Sequence, residues 1–272
     1  TARSRTSGEN FTDFFMAPFS QEVEPPQNPG RFKKLKLQEN TEEYFKAHGI
    51  VQGQPNELRI GGTLFRFPAG VGLNPYTDQE TYRSVDGSPM TLSTKEGLEQ
   101  GKYEKVATQI VQGQADRVAF YLEGDHAFRP SPDPFGTRGS GQSIHIQISS
   151  GYKEGVSKDL IVAQKFTLRS ERDMKGVGLK EFVFADQKNS GDAHLFYLAT
   201  NIKTPRGGSL VFHCEPRYDA NGYVDEPAHC AITYQALQGF AVTYGFSGDI
   251  WLTKWQEMHR AVTRFVDSLV VQ

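Results

Sequence analysis

The sequence predicts an α+β protein in which hairpins of antiparallel strands build the sheets and a C-terminal amphipathic helix packs on them. Three observations lead there. Through the middle of the chain apolar and polar residues alternate, as in Ile144-His145-Ile146-Gln147-Ile148, the period of a half-buried strand. Gly, Pro, Asn and Asp punctuate these runs, which suits a meander of hairpins with one buried face. Only the last segment has a three- and four-residue repeat, Trp255, Met258, Val262, Phe265, Val266 and Leu269, which is one apolar stripe of a helix.

In chain order, residues 1–55 read as an N-terminal arm with a short helix, and 56–272 as the body, either undivided or in two lobes at about 56–150 and 151–272. The arm carries Phe11-Thr12-Asp13-Phe14-Phe15-Met16 and is broken by Glu24-Pro25-Pro26-Gln27-Asn28-Pro29-Gly30. Phe14, Phe15 and Phe19 are unfavourable if exposed together, so the arm either folds back on the body, the favoured reading, or engages a partner. Lys33 to His48 is expected to be a helix stopped at Gly49. Leu58 to Pro68 holds a strand, a glycine turn and a second strand; Gly70 to Ser93 reads as loop. Strands follow at Lys105–Gln112, Arg117–Glu123 and Ser143–Ser149. Between the last two, the proline-then-glycine stretch Arg129–Gly141 is expected to be an exposed excursion. Further strands are expected at Asp159–Leu168, Glu181–Ala185, His194–Asn201, Ser209–Cys214, His229–Leu237 and Phe240–Phe246. Thr253-Lys254-Trp255-Gln256 has the form of a capping box opening the terminal helix.

Composition narrows the function. Among 272 residues, 30 Lys and Arg against 32 Asp and Glu give a net charge of -2, which supplies no general field for nucleic acid or an anionic membrane. No run approaches the roughly 18–20 apolar residues of a membrane helix. The first residue is Thr1, which leaves open a signal segment or lipid anchor upstream. Cys214 and Cys230 lie on the two arms of one predicted hairpin. Either they form a disulfide, which places the protein in an oxidising compartment, or they are two buried thiols; the hairpin favours the bridge.

Motifs for catalysis are weak. Gly245-Phe246-Ser247-Gly248-Asp249 begins like a nucleophile elbow but has Asp249 where the second glycine belongs, so a turn into the terminal helix is the better account. Gly139-Ser140-Gly141 lacks the flanking pattern. The seven histidines show no zinc-protease spacing. Gly70-Val71-Gly72 and Gly176-Val177-Gly178 lack the third glycine of a dinucleotide loop. The segment from Asp219 to Glu226 starts like a calcium loop but places Cys230 where the bidentate Glu is needed. The expectation is therefore no catalytic residue, no metal and no cofactor.

The C-terminal block joins a strand with Cys214-Glu215-Pro216, a second with Cys230, a third reaching Tyr244-Gly245-Phe246, and Leu252-Thr253-Lys254-Trp255 opening the helix. This block resembles the immunity proteins that bacteria carry against type VI secretion lipase effectors. Ile60-Gly61-Gly62-Thr63-Leu64-Phe65-Arg66-Phe67-Pro68 is similar to their first strands. The resemblance implies a periplasmic, often lipid-anchored protein that binds a cognate phospholipase toxin and blocks its active site or lid, without catalysis. It carries no contact residues over. Physical reasoning instead selects loops Asn74–Asp86, Phe128–Gly141 and Tyr218–Asp225, and in them the interface-type side chains Tyr76, Tyr82, Phe135, Arg138 and Tyr218. Two alternatives stand: an envelope hydrolase using Ser140 or Ser247 with a histidine, and a structural envelope lipoprotein.

Overall fold

The structure is a computed structural model and describes residues 36–78, 80–124, 128–136, 142–150, 166–186, 193–218 and 224–271. Residues Leu37–Gln272 form one compact unit; of the other, Thr1–Lys36, only Lys36 is among the described residues. The expected packing of Phe14, Phe15 and Phe19 therefore lies outside them. No helix of the described residues is long and apolar enough to cross a membrane.

The strands are β1 (Asn56–Ile60), β2 (Thr63–Phe67), β3 (Asn74–Tyr76), β4 (Glu80–Ser84), β5 (Tyr103–Ala107), β6 (Gln114–Ala115), β7 (Arg117–Glu123), β8 (Arg129–Pro130), β9 (Ile144–Ser149), β10 (Phe166–Met174), β11 (Leu179–Asp186), β12 (Ala193–Lys203), β13 (Ser209–Tyr218), β14 (Val224–Gln235) and β15 (Ala241–Ser247). The helices are α1 (Glu42–Ala47), α2 (Thr94–Glu99), α3 (Gly248–Trp251) and, after a 3-10 turn at Leu252–Lys254, α4 (Trp255–Leu269). One large antiparallel sheet runs β10-β11-β12-β13-β14-β15-β9-β7-β3, with β8 beside β7. Because β15 pairs with β9, strands from before and after residue 150 share this sheet.

Register explains the core. Phe212 stands opposite Ile232, Ile232 opposite Tyr244, Tyr244 opposite Ile146 and Ile146 opposite Phe120. That row crosses five strands on one face, and each of its members is buried. A one-residue slip in any strand would turn its share of the row to solvent, so the alternation specifies the pairing. On this face lies α4, which buries Trp255, Met258, Val262, Val266 and Leu269, with Trp255 edge-on to Phe212. The hairpin β1–β2 shares the same core: Phe65 packs edge-on to Phe240 and Phe67 to Phe120. Its last link is the chain end, where Val271 N–H donates to the Leu64 carbonyl.

Several expected elements differ, each for a local reason. The first helix is shorter than Lys33–His48: Asn40 has φ 64°, a left-handed backbone that interrupts a right-handed helix, and the Thr41 hydroxyl then caps Tyr44 N–H. The stretch Gly70–Ser93 contains β3 and β4. β5 ends at Ala107 because its partner β4 ends there, at Glu80. The capping box at Thr253 does not form: Gln256 Nε2 donates to the Val177 carbonyl, as does Trp255 Nε1 at 2.8 Å. A capping box does form at Ser93 and Glu96, opening α2. The excursion after Arg129 is tied down at its start, with Ser131 buried and accepting from Gly72 N–H at 2.8 Å. Any Cβ at Gly72 would stand 2.5 Å from the Pro132 carbonyl oxygen, so only glycine lets this loop lie so close. Of the expected strand Asp159–Leu168, residues 159–165 lie outside the described ones.

Candidate partner-binding surfaces

The short helix α1 organises one surface. Its buried His48 donates through Nδ1 to the Tyr44 carbonyl at 2.9 Å and contacts Thr77 Oγ1 through Nε2 at 3.0 Å. Burial holds the His48 pKa down, in keeping with a neutral ring whose Nε2 accepts. Thr77 N–H donates to the Tyr44 hydroxyl, so α1 fixes the chain just past Tyr76. On its other side Phe45 meets the ring of Phe135 at 6.4 Å. Tyr76 and Phe135 are thereby brought to the same small helix.

Their exposures differ. Tyr76 is half-buried; its hydroxyl accepts from Asn74 Nδ2 at 2.7 Å, and the Arg117 guanidinium stands 4.8 Å over its ring. Phe135 is exposed. Tyr82 is exposed on β4, which pairs with β5 alone in a separate two-stranded sheet. Tyr218 ends β13; its hydroxyl accepts from Ala193 N–H at 3.0 Å. Five strand steps separate β13 from β3, roughly 24 Å in the sheet plane, so Tyr218 and Tyr76 belong to different surfaces. Arg138 lies outside the described residues, as do Ser140 and residues 219–223 of the calcium-like segment.

The β4–β5 extension is the richer surface. Of the eleven large hydrophobic side chains exposed among the described residues, four fall between Tyr82 and Leu98: Tyr82, Val85, Met90 and Leu98. Its folding is local. Asp86 accepts from Ser84 Oγ, Ser88 Oγ and Ser88 N–H, which holds its carboxyl well below the usual range. Tyr103 lies beneath Gly97 and accepts from Leu92 N–H at 2.7 Å. The sequence singled out Tyr82 only as an aromatic in the stretch Asn74–Asp86, and not Val85, Met90 or Leu98, because exposure of an apolar residue in a loop leaves no periodic signal.

A groove of 770 Å³ runs between β10–β12 and the start of the terminal helices. There Arg172 Nη2 lies 3.0 Å from both oxygens of Glu181, over the buried Tyr197, whose pKa is raised by burial and then by the Glu181 charge. At its end Ser247 Oγ donates to Asp249 Oδ1 at 2.5 Å, and Asp249 pairs with Arg217 at 3.4 Å. Ser247 stands opposite His229, but that ring lies over Gly245, where a Cβ would be 2.9 Å from Nε2. The hydroxyl is thus given to a carboxylate and not to an imidazole. His194 and His213 approach to 3.4 Å on the sheet. The described residues contain no group of three or more side chains suited to a metal ion.

Cys214 and Cys230 stand directly opposite on β13 and β14 and are joined by a disulfide, both buried. No protein family matches the chain, and no curated protein matches it. A solved structure that is similar to it is that of Smlt3025, an immunity protein of the Stenotrophomonas maltophilia type IV secretion system, at 12% identity and a TM-score of 0.42, over 81% of this chain and 94% of that one.

Proposed function

We propose that this protein is an immunity protein that works by binding, neutralising a lipase-type secretion toxin in the periplasm by covering its active site or lid. The observation that carries the reading is the β4–β5 extension: a separately paired, locally braced hairpin that holds Tyr82, Val85, Met90 and Leu98 in solvent. Exposed apolar side chains concentrated on a braced projection suit an interface whose energy resides in a few anchors. The Cys214–Cys230 disulfide supports an oxidising compartment. The C-terminal strands and helix that resemble lipase immunity proteins direct the reading to that class of toxin. In it Tyr82 is the first contact, Phe135 a second, and Tyr76 braces the root of the extension.

The test looks for a lipase-like protein encoded beside the gene and pairs it with the purified chain. Nanomolar association and loss of phospholipid hydrolysis are expected. Tyr82→Asp and Leu98→Asp should each weaken association at least tenfold without moving the melting temperature, since both side chains are exposed. A lipase that stays fully active at saturating chain, or turnover of lipid by the chain itself, would overturn the reading.

A further inference from the structure

The face of the large sheet turned away from α4 carries a pair of histidines. Leu195, Tyr197, Phe212 and Cys214 belong to the core that α4 covers, so by strand alternation His194, Phe196 and His213 point to the other side, where Phe196 joins a separate small cluster. Phe196 stands directly opposite His213, which makes His194 the diagonal neighbour of His213 across β12 and β13. His194 Nδ1 lies 3.4 Å from His213 Nε2, while the ring centroids are 5.7 Å apart, so these two nitrogens sit on facing edges of the rings. The His213 ring lies nearly parallel to that of Phe196 at 4.8 Å, packing that fixes its plane. His213 is exposed and His194 half-buried, which leaves the pair open to solvent.

The separation distinguishes two roles. At 3.4 Å the nitrogens are farther apart than in a usual hydrogen bond of about 2.7–3.2 Å. Zinc binds imidazole nitrogen at about 2.0–2.1 Å, and two such nitrogens at neighbouring corners of a tetrahedron stand about 3.3–3.4 Å apart. At neighbouring corners of a square, the arrangement copper(II) favours, they would stand about 2.9 Å apart. The observed spacing matches the tetrahedral edge. Glu215 follows His213 on the same face, and its charge reaches the His213 ring, which favours a cation there. Two protein ligands are fewer than the four of a structural zinc site, and the described residues bring no third one to the pair. Water must complete the coordination, so the ion exchanges with solvent.

We propose that His194 and His213 form a surface site for zinc(II), His194 Nδ1 and His213 Nε2 supplying two corners of a tetrahedron and water the others, with Glu215 attracting the ion. Each ring then carries its proton on the other nitrogen. The ion ties β12 to β13 next to the Cys214–Cys230 bridge, and the site is independent of the toxin reading.

The experiment titrates zinc chloride into the full, untagged ¹⁵N-labelled chain and reads the imidazole nitrogens in long-range ¹H–¹⁵N spectra. Of the seven histidines, His194 and His213 should shift saturably, at Nδ1 and Nε2 respectively, and the other five should stay in place. Zinc should also raise the melting temperature, because an ion that binds only the native pair stabilises it. His194→Gln and His213→Gln, both outside the core, should melt like the wild type in the presence of a chelator. Each should bind zinc at least tenfold more weakly and lose the zinc-dependent rise. If neither ring shifts at millimolar zinc, the site does not exist; if both variants bind zinc as tightly as the wild type, the ion is held elsewhere and the assignment fails.

Discussion

His259 reaches from α4 into the sheet, where its Nδ1 and the Tyr244 hydroxyl share a hydrogen bond of 2.8 Å in a setting walled by Tyr234 and Trp255. Burial, then the nearby Arg260 charge, lowers its pKa from 6.5 to about 4. Above pH 6.5 the ring is neutral in both folded and unfolded chains. As the pH falls towards 4 the unfolded chain takes up a proton that the folded chain refuses, so stability drops; below that both states are protonated and the loss is complete. The shift corresponds to about 3 kcal/mol. Urea midpoints measured at pH 7 and pH 4.5 should therefore differ markedly in the wild type, and less in His259→Gln, which keeps a polar group near Tyr244 but does not titrate. An equal drop in both proteins would assign the acid sensitivity elsewhere. At this scale the sequence was only partly legible: spacing put His259 on the helix beside the apolar stripe, but its burial depends on Tyr244 standing opposite it.

Among the elements, the β13–β14 hairpin is the most heavily tied. Its disulfide spans a sequence separation of 16 residues, and closing a loop of that size in the unfolded chain stabilises the fold by about 3 kcal/mol in the chain-entropy description. Urea unfolding with and without a reductant should show a loss of that order. The native protein should resist the reductant until denaturant opens the hairpin, since both sulfurs are buried. The hairpin was legible because alternation and turn residues frame both cysteines. Helix capping was not: Ser93 and Glu96 box α2 just past a stretch that reads as loop, while Thr253 and Gln256 match the pattern without forming it. A cap motif states what a terminus can do, and the neighbouring Val177 carbonyl decides what Gln256 does.

For the whole molecule the inner face of the large sheet needs a cover, and α4 with the β1–β2 hairpin supplies it. Five buried apolar side chains of α4, at about 1.5–3 kcal/mol each, contribute on the order of 10 kcal/mol, comparable to the net stability of a domain. Removing residues 255–272 should therefore abolish the cooperative thermal transition and the near-ultraviolet circular dichroism; a truncated chain that still melts cooperatively would mean that the sheet closes its own face. The β4–β5 extension contributes to no such layer, which is why substitutions there are expected to alter association and spare the melt.

Local pattern was enough to determine the central strands of the large sheet, the terminal helix and the faces they bury, because period and burial are coupled within each element: Ile144, Ile146 and Ile148 can face the core together in one register only. It also determined that Cys214 and Cys230 would lie near one another. What the tertiary structure alone decided is which distant residues meet. Tyr76 and Phe135 gather at α1, Tyr218 lies across the sheet, and Trp251 comes to rest on Gly124, because strand order and glycine-sized gaps set these approaches and neither is written in the spacing of residues along the chain.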